Sequence, residues 1–374
     1  MHSLDYINGV KNMNTEYTDR GLISNNDVDI NEFDFCSDHS DLNSKRRLIR
    51  NRSVLDYIRY NLPDMIRERL EDLPIISLHT EEVVKNNGTV LMGIYIRLEG
   101  SNVSPCIYVE PYLPPDVDRQ PVCWDRIADG MAGDFRSAVI VSYKENHELA
   151  EKLFDPEDIP ERLELTLVNR ELNKDLLKTL PHKDFLDLSV IMRWEVICGG
   201  RRSIVKISND VVDHWGIDPD TLFHEALINT MKKFPGRVET LDNVVEEITG
   251  IKINGTEAEA GMIGMGLAGS VCAPMHSPFY YFGTENLCNG SISVIYPGML
   301  RKMYEALGEA YYLIPSSINE FLALPMSFEP FPERIKDIII SVNEDVLPRM
   351  EVLSDSLYIY RPEQDRLEIY DNSN

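Results

Sequence analysis

Residues 75–98 read IISLHTEEVVKNNGTVLMGIYIRL, and this stretch holds the pattern that decides the fold. Two runs rich in apolar and β-branched residues flank Asn87-Gly88, a dipeptide that favours a tight turn because both residues tolerate positive φ. The stretch therefore predicts a β-hairpin. The next apolar run, within SPCIYVEPYL at 104–113, extends the hairpin to a β-meander.

A polar joint at 100–102 separates the meander's last two strands. Asn and Ser side chains can bond local backbone in such a joint, which favours a simple turn. The same side chains could instead form the lip of a binding site. We prefer the turn and keep Asn102 and Ser104 as surface candidates.

Helical and strand patterns alternate along the rest of the chain. The run 53–72 has helical spacing broken by Pro63, and Asp218-Pro219 has the composition of a helix start. Further helices are predicted at 124–132, 241–249, 297–308 and 330–343, and strands at 138–142, 163–170, 188–197, 202–208, 279–282, 291–296, 310–315, 320–325, 356–360 and 366–370. This mixture, with short hairpin connections, predicts an α+β fold with mainly antiparallel sheets.

Composition divides the chain into three parts. Residues 1–42 are polar and contain few core-forming side chains, which predicts a disordered or loosely attached tail. We expect a first α+β module at 43–150 and a second at 151–374, with a Gly/Met-rich inserted loop at about 251–278.

The charge balance disfavours two classes of partner. Lys and Arg number 37 against 62 Asp and Glu, giving a net charge of −25 in 374 residues. Such a surface repels nucleic-acid phosphates and anionic lipids, so we expect no direct nucleic-acid or membrane binding. Solubility is the simpler interpretation of this charge, and mimicry of DNA by an acidic inhibitor is the alternative.

Cysteine usage predicts a reduced compartment. None of the six cysteines forms a C-x-x-C pair, and their spacing matches neither a disulfide framework nor a zinc site. The N-terminal residues lack a signal-peptide pattern, and no apolar run is long enough to span a bilayer. We therefore expect a cytoplasmic protein.

The motifs that could carry chemistry are incomplete. Gly264–Gly269 matches G-x-G-x-x-G, but no strand pattern precedes it, and Pro274 leaves little room for a helix after it. His224-Glu225 begins H-E-x-x-H, but Ile228 occupies the position of the second histidine. We therefore predict no cofactor and no metal.

A few polar residues outside these motifs remain candidates. His182 and Asp184 follow Pro181 in a predicted capped turn, His214 ends a segment before a turn, and Ser316 lies in a predicted polar turn between two strands. Imidazole, carboxylate and hydroxyl groups can serve as bases, ligands or nucleophiles, but none has an evident partner in the sequence.

Several blocks resemble a known family. They include GIYIRLEGSNVSPCIYVEPYL, NDVVDHWGIDPDTLFHEALINT and VIYPGMLRKMYEALGEAYYLIPSSINEFLALP, and the likeness extends over roughly residues 50–370. These blocks resemble a family of uncharacterised proteins common in gut Firmicutes. The resemblance implies a cytoplasmic bacterial protein and supplies neither an activity nor catalytic residues.

Function therefore has to be inferred by class. We expect a soluble protein that acts through protein–protein contacts, with an enzyme assembled from distant polar residues as the rival. A binding protein should present an apolar patch or an uncovered sheet edge. An enzyme should present a deep pocket where ionisable groups converge.

Deletion of residues 1–42 should leave the thermal midpoint within a few degrees of the full-length value, because the segment has little apolar surface to bury. Differential scanning calorimetry of the two chains tests this. Loss of soluble expression on truncation would show instead that the segment packs on the core.

Overall fold

The computed structural model describes residues 51–99, 104–114, 117, 121–138, 160–198, 201–251 and 277–371. The predicted tail at 1–42, the strand predicted at 138–142 apart from Ala138, the joint at 100–102 and nearly all of the inserted loop lie outside these residues. The described strands pair antiparallel throughout, and the predicted α+β class is confirmed.

The N-terminal part contains a three-stranded meander with helices on one face. Its elements are α1 (Arg52–Tyr60), α2 (Leu62–Arg69), β1 (Ile75–Val84), β2 (Val90–Leu98), β3 (Cys106–Tyr108) and α3 (124–138). The predicted helix at 53–72 is two helices, because the chain breaks at Asn61 and Pro63 lies in the first turn of α2. Alternate residues of β2, such as Ile94 and Ile96, bury against these helices.

A four-stranded sheet follows, with β6 at its centre. The elements are β4 (Leu163–Asn169), α4 (Lys174–Leu177), β5 (His182–Phe185), β6 (Leu188–Cys198), β7 (Arg201–Lys206), α5 (Asn209–Trp215) and α6 (Pro219–Lys233). Strand β4 pairs along one side of β6, and β5 and β7 share the other side. Asp218 caps α6 by accepting the Thr221 N–H at 3.0 Å, as its sequence predicts.

The C-terminal part forms a six-stranded sheet in the order β13-β12-β10-β11-β9-β8. Its elements are β8 (Gly236–Thr240), α7 (Leu241–Thr249), β9 (Tyr280–Thr284), α8 (Met299–Leu307), β10 (Tyr311–Ser317), β11 (Glu320–Pro325), α9 (Pro332–Asp345), β12 (Tyr358–Arg361) and β13 (Arg366–Ile369). Short 3-10 helices occupy Asn86–Gly88, Glu110–Tyr112, Pro160–Arg162, Gly290–Ile295 and Arg349–Glu351.

The two larger sheets share one hydrophobic core. Leu165 and Met192 contribute from the four-stranded sheet, and Phe282, Phe321 and Tyr358 contribute from the six-stranded sheet. The opposite face of the six-stranded sheet packs under α9 through a second, smaller cluster that includes Tyr312, Ile314, Leu324, Ile335 and Ile339.

Side chains close the outer edge of β4. The Leu165 N–H donates to Thr230 Oγ1 at 2.8 Å, and the Leu165 carbonyl accepts from Asn289 Nδ2 at 2.9 Å. Asn229 Nδ2 donates to the Leu163 carbonyl in the same way. These residues give the buried edge the hydrogen bonds that another strand would otherwise supply.

The β1–β2 turn joins the meander to the C-terminal part of the chain. Asn87 is fully buried with φ 58°, and its side chain donates to the carbonyls of Arg349 and Val352, both at 2.7 Å. The side-chain amide of Asn173 donates to Asn87 Oδ1 at 2.8 Å, and Arg349 Nε donates to the Asn87 carbonyl at 2.8 Å. The predicted hairpin turn is therefore buried, and its side chain connects the meander to distant parts of the chain.

One predicted strand is wrong. The run at 291–296 lies mostly in the 3-10 helix Gly290–Ile295, in which Ser293 Oγ donates to the Gly290 carbonyl at 2.7 Å. A Cβ on Gly290 would collide with the Asn319 carbonyl oxygen. Serine–backbone bonding and this close approach outweigh the alternating pattern that favoured a strand.

Among the described residues, no helix combines the length and apolar character that crossing a membrane would require.

Asn87→Gly should lower the free energy of unfolding by about 3 kcal/mol, because it leaves several buried groups without their hydrogen-bond partners. Glycine keeps the positive φ accessible, so the loss measures the side-chain bonds. Urea unfolding checks the value. The control Asn286→Gly removes an exposed asparagine whose side chain donates to the Lys233 carbonyl, and should cost less than about 1 kcal/mol. Equal losses in the two variants would contradict the structural role of Asn87.

Candidate functional site

Among the described strands, β8 ends the six-stranded sheet and has one hydrogen-bonded neighbour, β9. Gly236 lies opposite Thr284, and Thr240 lies opposite Tyr280, with no shift of register between them. The other side of β8 is an edge, so the direction of each backbone group decides what that edge can bind.

Two hydrogen bonds fix the direction of those groups. The Leu241 N–H donates to the Phe279 carbonyl at 3.0 Å, and the Glu285 N–H donates to the Pro235 carbonyl at 2.9 Å. Bonded and non-bonded pairs alternate along an antiparallel ladder. Odd-numbered residues of β8 therefore bond to β9, and the backbone groups of even-numbered residues face outward.

The outward groups of Gly236 and Val238 are open. Neither residue has a backbone partner beyond β9 in the part of the chain that the structure describes. Thr240 differs, because its N–H donates to Glu239 Oε1 at 2.9 Å. Two N–H and two carbonyl groups therefore remain available along a short length of edge.

A cleft of about 380 Å³ lies along this edge. Its floor includes Gly236, Arg237 and Val238, and its other lining residues are Glu247 of α7, Glu285 after β9 and Lys302 of α8. Helices α7 and α8 pack on opposite faces of β8 and therefore form opposing walls. Side chains of a strand alternate between its two faces, so each wall is contacted by every second residue of β8. The even-numbered residues of β8 face α8, and the odd-numbered residues face α7.

Contacts confirm this assignment of faces. A Cβ on Gly236 would lie 2.6 Å from Met299 Sδ of α8, so glycine allows that helix to pack closely. On the other face, Arg237 Nη2 donates to Glu247 Oε2 at 2.7 Å, and Asn243 Nδ2 donates to Glu239 Oε1 at 2.9 Å.

The electrostatics differ between the walls. The hydrogen bond that Arg237 donates to Glu247 raises the pKa of Arg237, and the bond donated by the Thr240 N–H lowers the pKa of Glu239, so both groups stay charged. Lys302 and Glu285 are exposed, and within the described ranges neither has an ion-pair partner. They therefore remain available to charges on a ligand.

A second polar cluster is structural. Asp187 accepts hydrogen bonds from Tyr358 at 2.7 Å and from Ser354 at 2.5 Å. Burial and then the Asp187 charge raise the pKa of Tyr358 well above its usual value. The tyrosine is nearly inaccessible to solvent, so the cluster ties β12 to the β5–β6 turn and offers no surface to a substrate.

The candidates from the sequence do not converge on the cleft. His182 and Asp184 are exposed on β5, and Asp184 pairs with Arg170 Nη1 at 2.9 Å. The turn predicted for them is wrong, because pairing with β6 extends the segment. His214 is exposed at the end of α5, Ser104 is half-buried before β3, and Asn102 lies outside the described residues.

Ser316 is also placed differently from its prediction. It belongs to β10 at a register shift between Pro315 and Ser317, and the hairpin turn follows at 318–319. Ser317 Oγ makes that turn by accepting the Asn319 N–H at 2.9 Å. Ser316 is therefore a bulged strand residue.

Sequence reasoning missed β8 altogether. The only local signal is GRVET at 236–240, which alternates polar and apolar residues between Pro235 and the Thr240 cap of α7. Five residues between two helices give a weak strand pattern, and nothing in them identifies an open edge. Lys302 lines the cleft because of how α8 packs against β8, and no local sequence pattern predicts that packing.

Backbone exchange should alternate along β8. In hydrogen exchange measured by NMR, the amides of Gly236 and Val238 should exchange fast, and those of Arg237 and Glu239 should be protected. Leu165 provides the control, because its outward N–H is bonded to Thr230 and should be protected. Protection at Val238 in the free protein would mean that this edge is covered.

Comparison with known proteins gives a family without an activity. No curated protein and no solved structure matches the chain. A family model described as a family of unknown function, DUF5688, matches residues 58–362. Since this match covers most of the chain, including the cleft and both sheets around the shared core, the protein belongs to the DUF5688 family.

Proposed function

We propose that the protein is a protein-contact module that binds an extended segment of a partner by adding it to the edge of β8. The observation that carries this proposal is the pair of outward-facing residues, Gly236 and Val238, on the floor of a cleft. Strand addition gains affinity from main-chain hydrogen bonds and specificity from side chains that alternate between the walls.

The expected affinity is modest. Two open residues offer four backbone hydrogen bonds, each worth about 0.5–1.5 kcal/mol net. Side-chain contacts with α7 and α8 add to this, while ordering of the segment opposes it. These terms fit a transient contact better than a permanent subunit interface.

The ionisable groups favour binding over catalysis. Tyr296 and Tyr311, whose pKa values burial raises strongly, donate hydrogen bonds to backbone carbonyls inside the core. No group of three or more potential metal ligands occurs among the described residues. The cleft itself holds charged groups suited to salt bridges with a partner.

The predicted cellular setting is consistent with this role. We propose a cytoplasmic protein of a Firmicutes bacterium, supported by a cysteine spacing that matches no disulfide framework and by the resemblance of its sequence blocks to a family common in those bacteria. We also propose that 43–150 and 151–374 act as two modules. The hydrophobic cluster within 54–135 lies wholly in the first module, and the shared core lies in the second module apart from Ala138, which supports that division.

The test uses short random peptides displayed on phage and selected on the full chain. Enriched peptides should bind wild-type protein in calorimetry and lose at least about tenfold in affinity for Val238→Pro. Proline removes an outward N–H and leaves the β8–β9 ladder intact, so the variant should fold. Exposed His214→Ala is the matched control and should bind as the wild type does.

Backbone methylation separates strand addition from side-chain binding. Two versions of each peptide are compared, one N-methylated at its odd-numbered residues and one at its even-numbered residues. One version should lose binding and the other should keep it, because only alternate residues of an added strand direct their N–H groups to β8. Equal binding of both versions, or full binding to folded Val238→Pro, would overturn the proposed function.

A further inference from the structure

The two walls of the cleft carry opposite net charge. Lys302 supplies one positive charge on the α8 wall. Arg237 and Glu247 neutralise each other on the α7 side. Glu285 is paired with Pro235 through the bond from its N–H to the Pro235 carbonyl, so the ladder continues to that point. Paired residues share a face of the sheet, and odd-numbered residues face α7, so the Glu285 side chain lies on the α7 side. The α7 side is therefore net negative.

An added strand divides its side chains between these walls. A partner residue paired with Gly236 or Val238 points to the α8 side, since directly paired residues share a face of a sheet. The partner residue opposite Arg237 points to the α7 side. This division holds for both parallel and antiparallel addition.

Resting on the strand-addition function proposed above, we infer that the partner segment alternates acidic and basic side chains. An Asp or Glu on the α8 side pairs with Lys302. A Lys or Arg on the α7 side pairs with the carboxylates of Glu285 and Glu247.

A second copy of this chain is a poorer occupant. Antiparallel pairing of β8 with itself, in the register that uses Gly236 and Val238 of both copies, sets Arg237 opposite its own copy. Like charges directly opposite in a sheet are unfavourable. A net charge of −25 on each copy adds long-range repulsion. We therefore assign the cleft to a different protein.

The test compares peptide selections on the wild type, Lys302→Glu and Glu285→Lys, with Val238→Pro as a separate control. Both charge reversals alter exposed residues that have no ion-pair partner in the part of the chain that the structure describes, so each variant should keep the wild-type melting curve. Wild-type protein should enrich acidic and basic residues at alternating positions. Lys302→Glu should replace the acidic preference by a basic one, and Glu285→Lys should do the converse.

Affinities provide the quantitative check. A wild-type-selected peptide should bind Lys302→Glu about fivefold more weakly, since exposed ion pairs contribute little individually. Its charge-swapped version should recover that loss on the variant, and 0.5 M salt should reduce the difference, because the Debye length is then only about 4 Å. Enriched peptides without charge alternation, or unchanged by Lys302→Glu, would overturn this inference while leaving strand addition intact.

Two outcomes concern the function on which the inference rests. Binding that survives Val238→Pro places the peptides elsewhere and overturns strand addition and the charge pattern together. Concentration-dependent dimerisation in sedimentation, lost in Val238→Pro, would identify a second copy as the occupant and overturn the assignment to a different protein.

Discussion

Backbone groups removed from water must find hydrogen-bond partners, and the shared core of this protein depends on that requirement at the edge of β4. Leu165 is buried between two sheets, with its N–H and carbonyl facing away from β6. Thr230 and Asn289 supply the missing partners from α6 and from the chain after β9. Without these partners, each unbonded N–H or carbonyl would lower the free energy of unfolding by about 1–3 kcal/mol. The edge of the four-stranded sheet can therefore lie inside the core.

The same requirement explains why β8 is suited to binding. At Leu165 of β4 the outward groups are closed by side chains, whereas at β8 the groups of Gly236 and Val238 lie open on a cleft floor in the part of the chain that the structure describes. The opening is short because Glu239 occupies the Thr240 N–H at one end. At the other end the Phe234 N–H donates to the Thr230 carbonyl, and the Phe234 carbonyl accepts from Tyr296. A short edge limits indiscriminate pairing, and the charged walls restrict which segments can enter.

The joint at Asn87 shows how a local turn signal can acquire a tertiary role. Asn-Gly at 87–88 provides two residues that accept positive φ, which a tight hairpin requires. In most hairpins such a turn faces solvent. Here the amide of Asn87 is buried against Asn173 and the carbonyls of Arg349 and Val352, which come from distant parts of the chain. Because each polar atom of this side chain is bonded, the turn fixes the meander relative to the C-terminal segment.

The sequence by itself determined the elements with strong local signals. The hairpin at Asn87 and the cap at Asp218 follow from turn and capping residues, strand β6 follows from its periodicity, and these local patterns alone indicate the α+β class. Only the tertiary structure decided that Ser293 lies in a 3-10 helix and that β5 is a strand, because close approach and pairing outweigh weak local patterns. The cleft belongs to the same category. Its floor is a five-residue strand, and its walls are two helices that are separated in sequence. Its backbone groups are open because no described strand pairs with that side of β8, and no local sequence pattern predicts this.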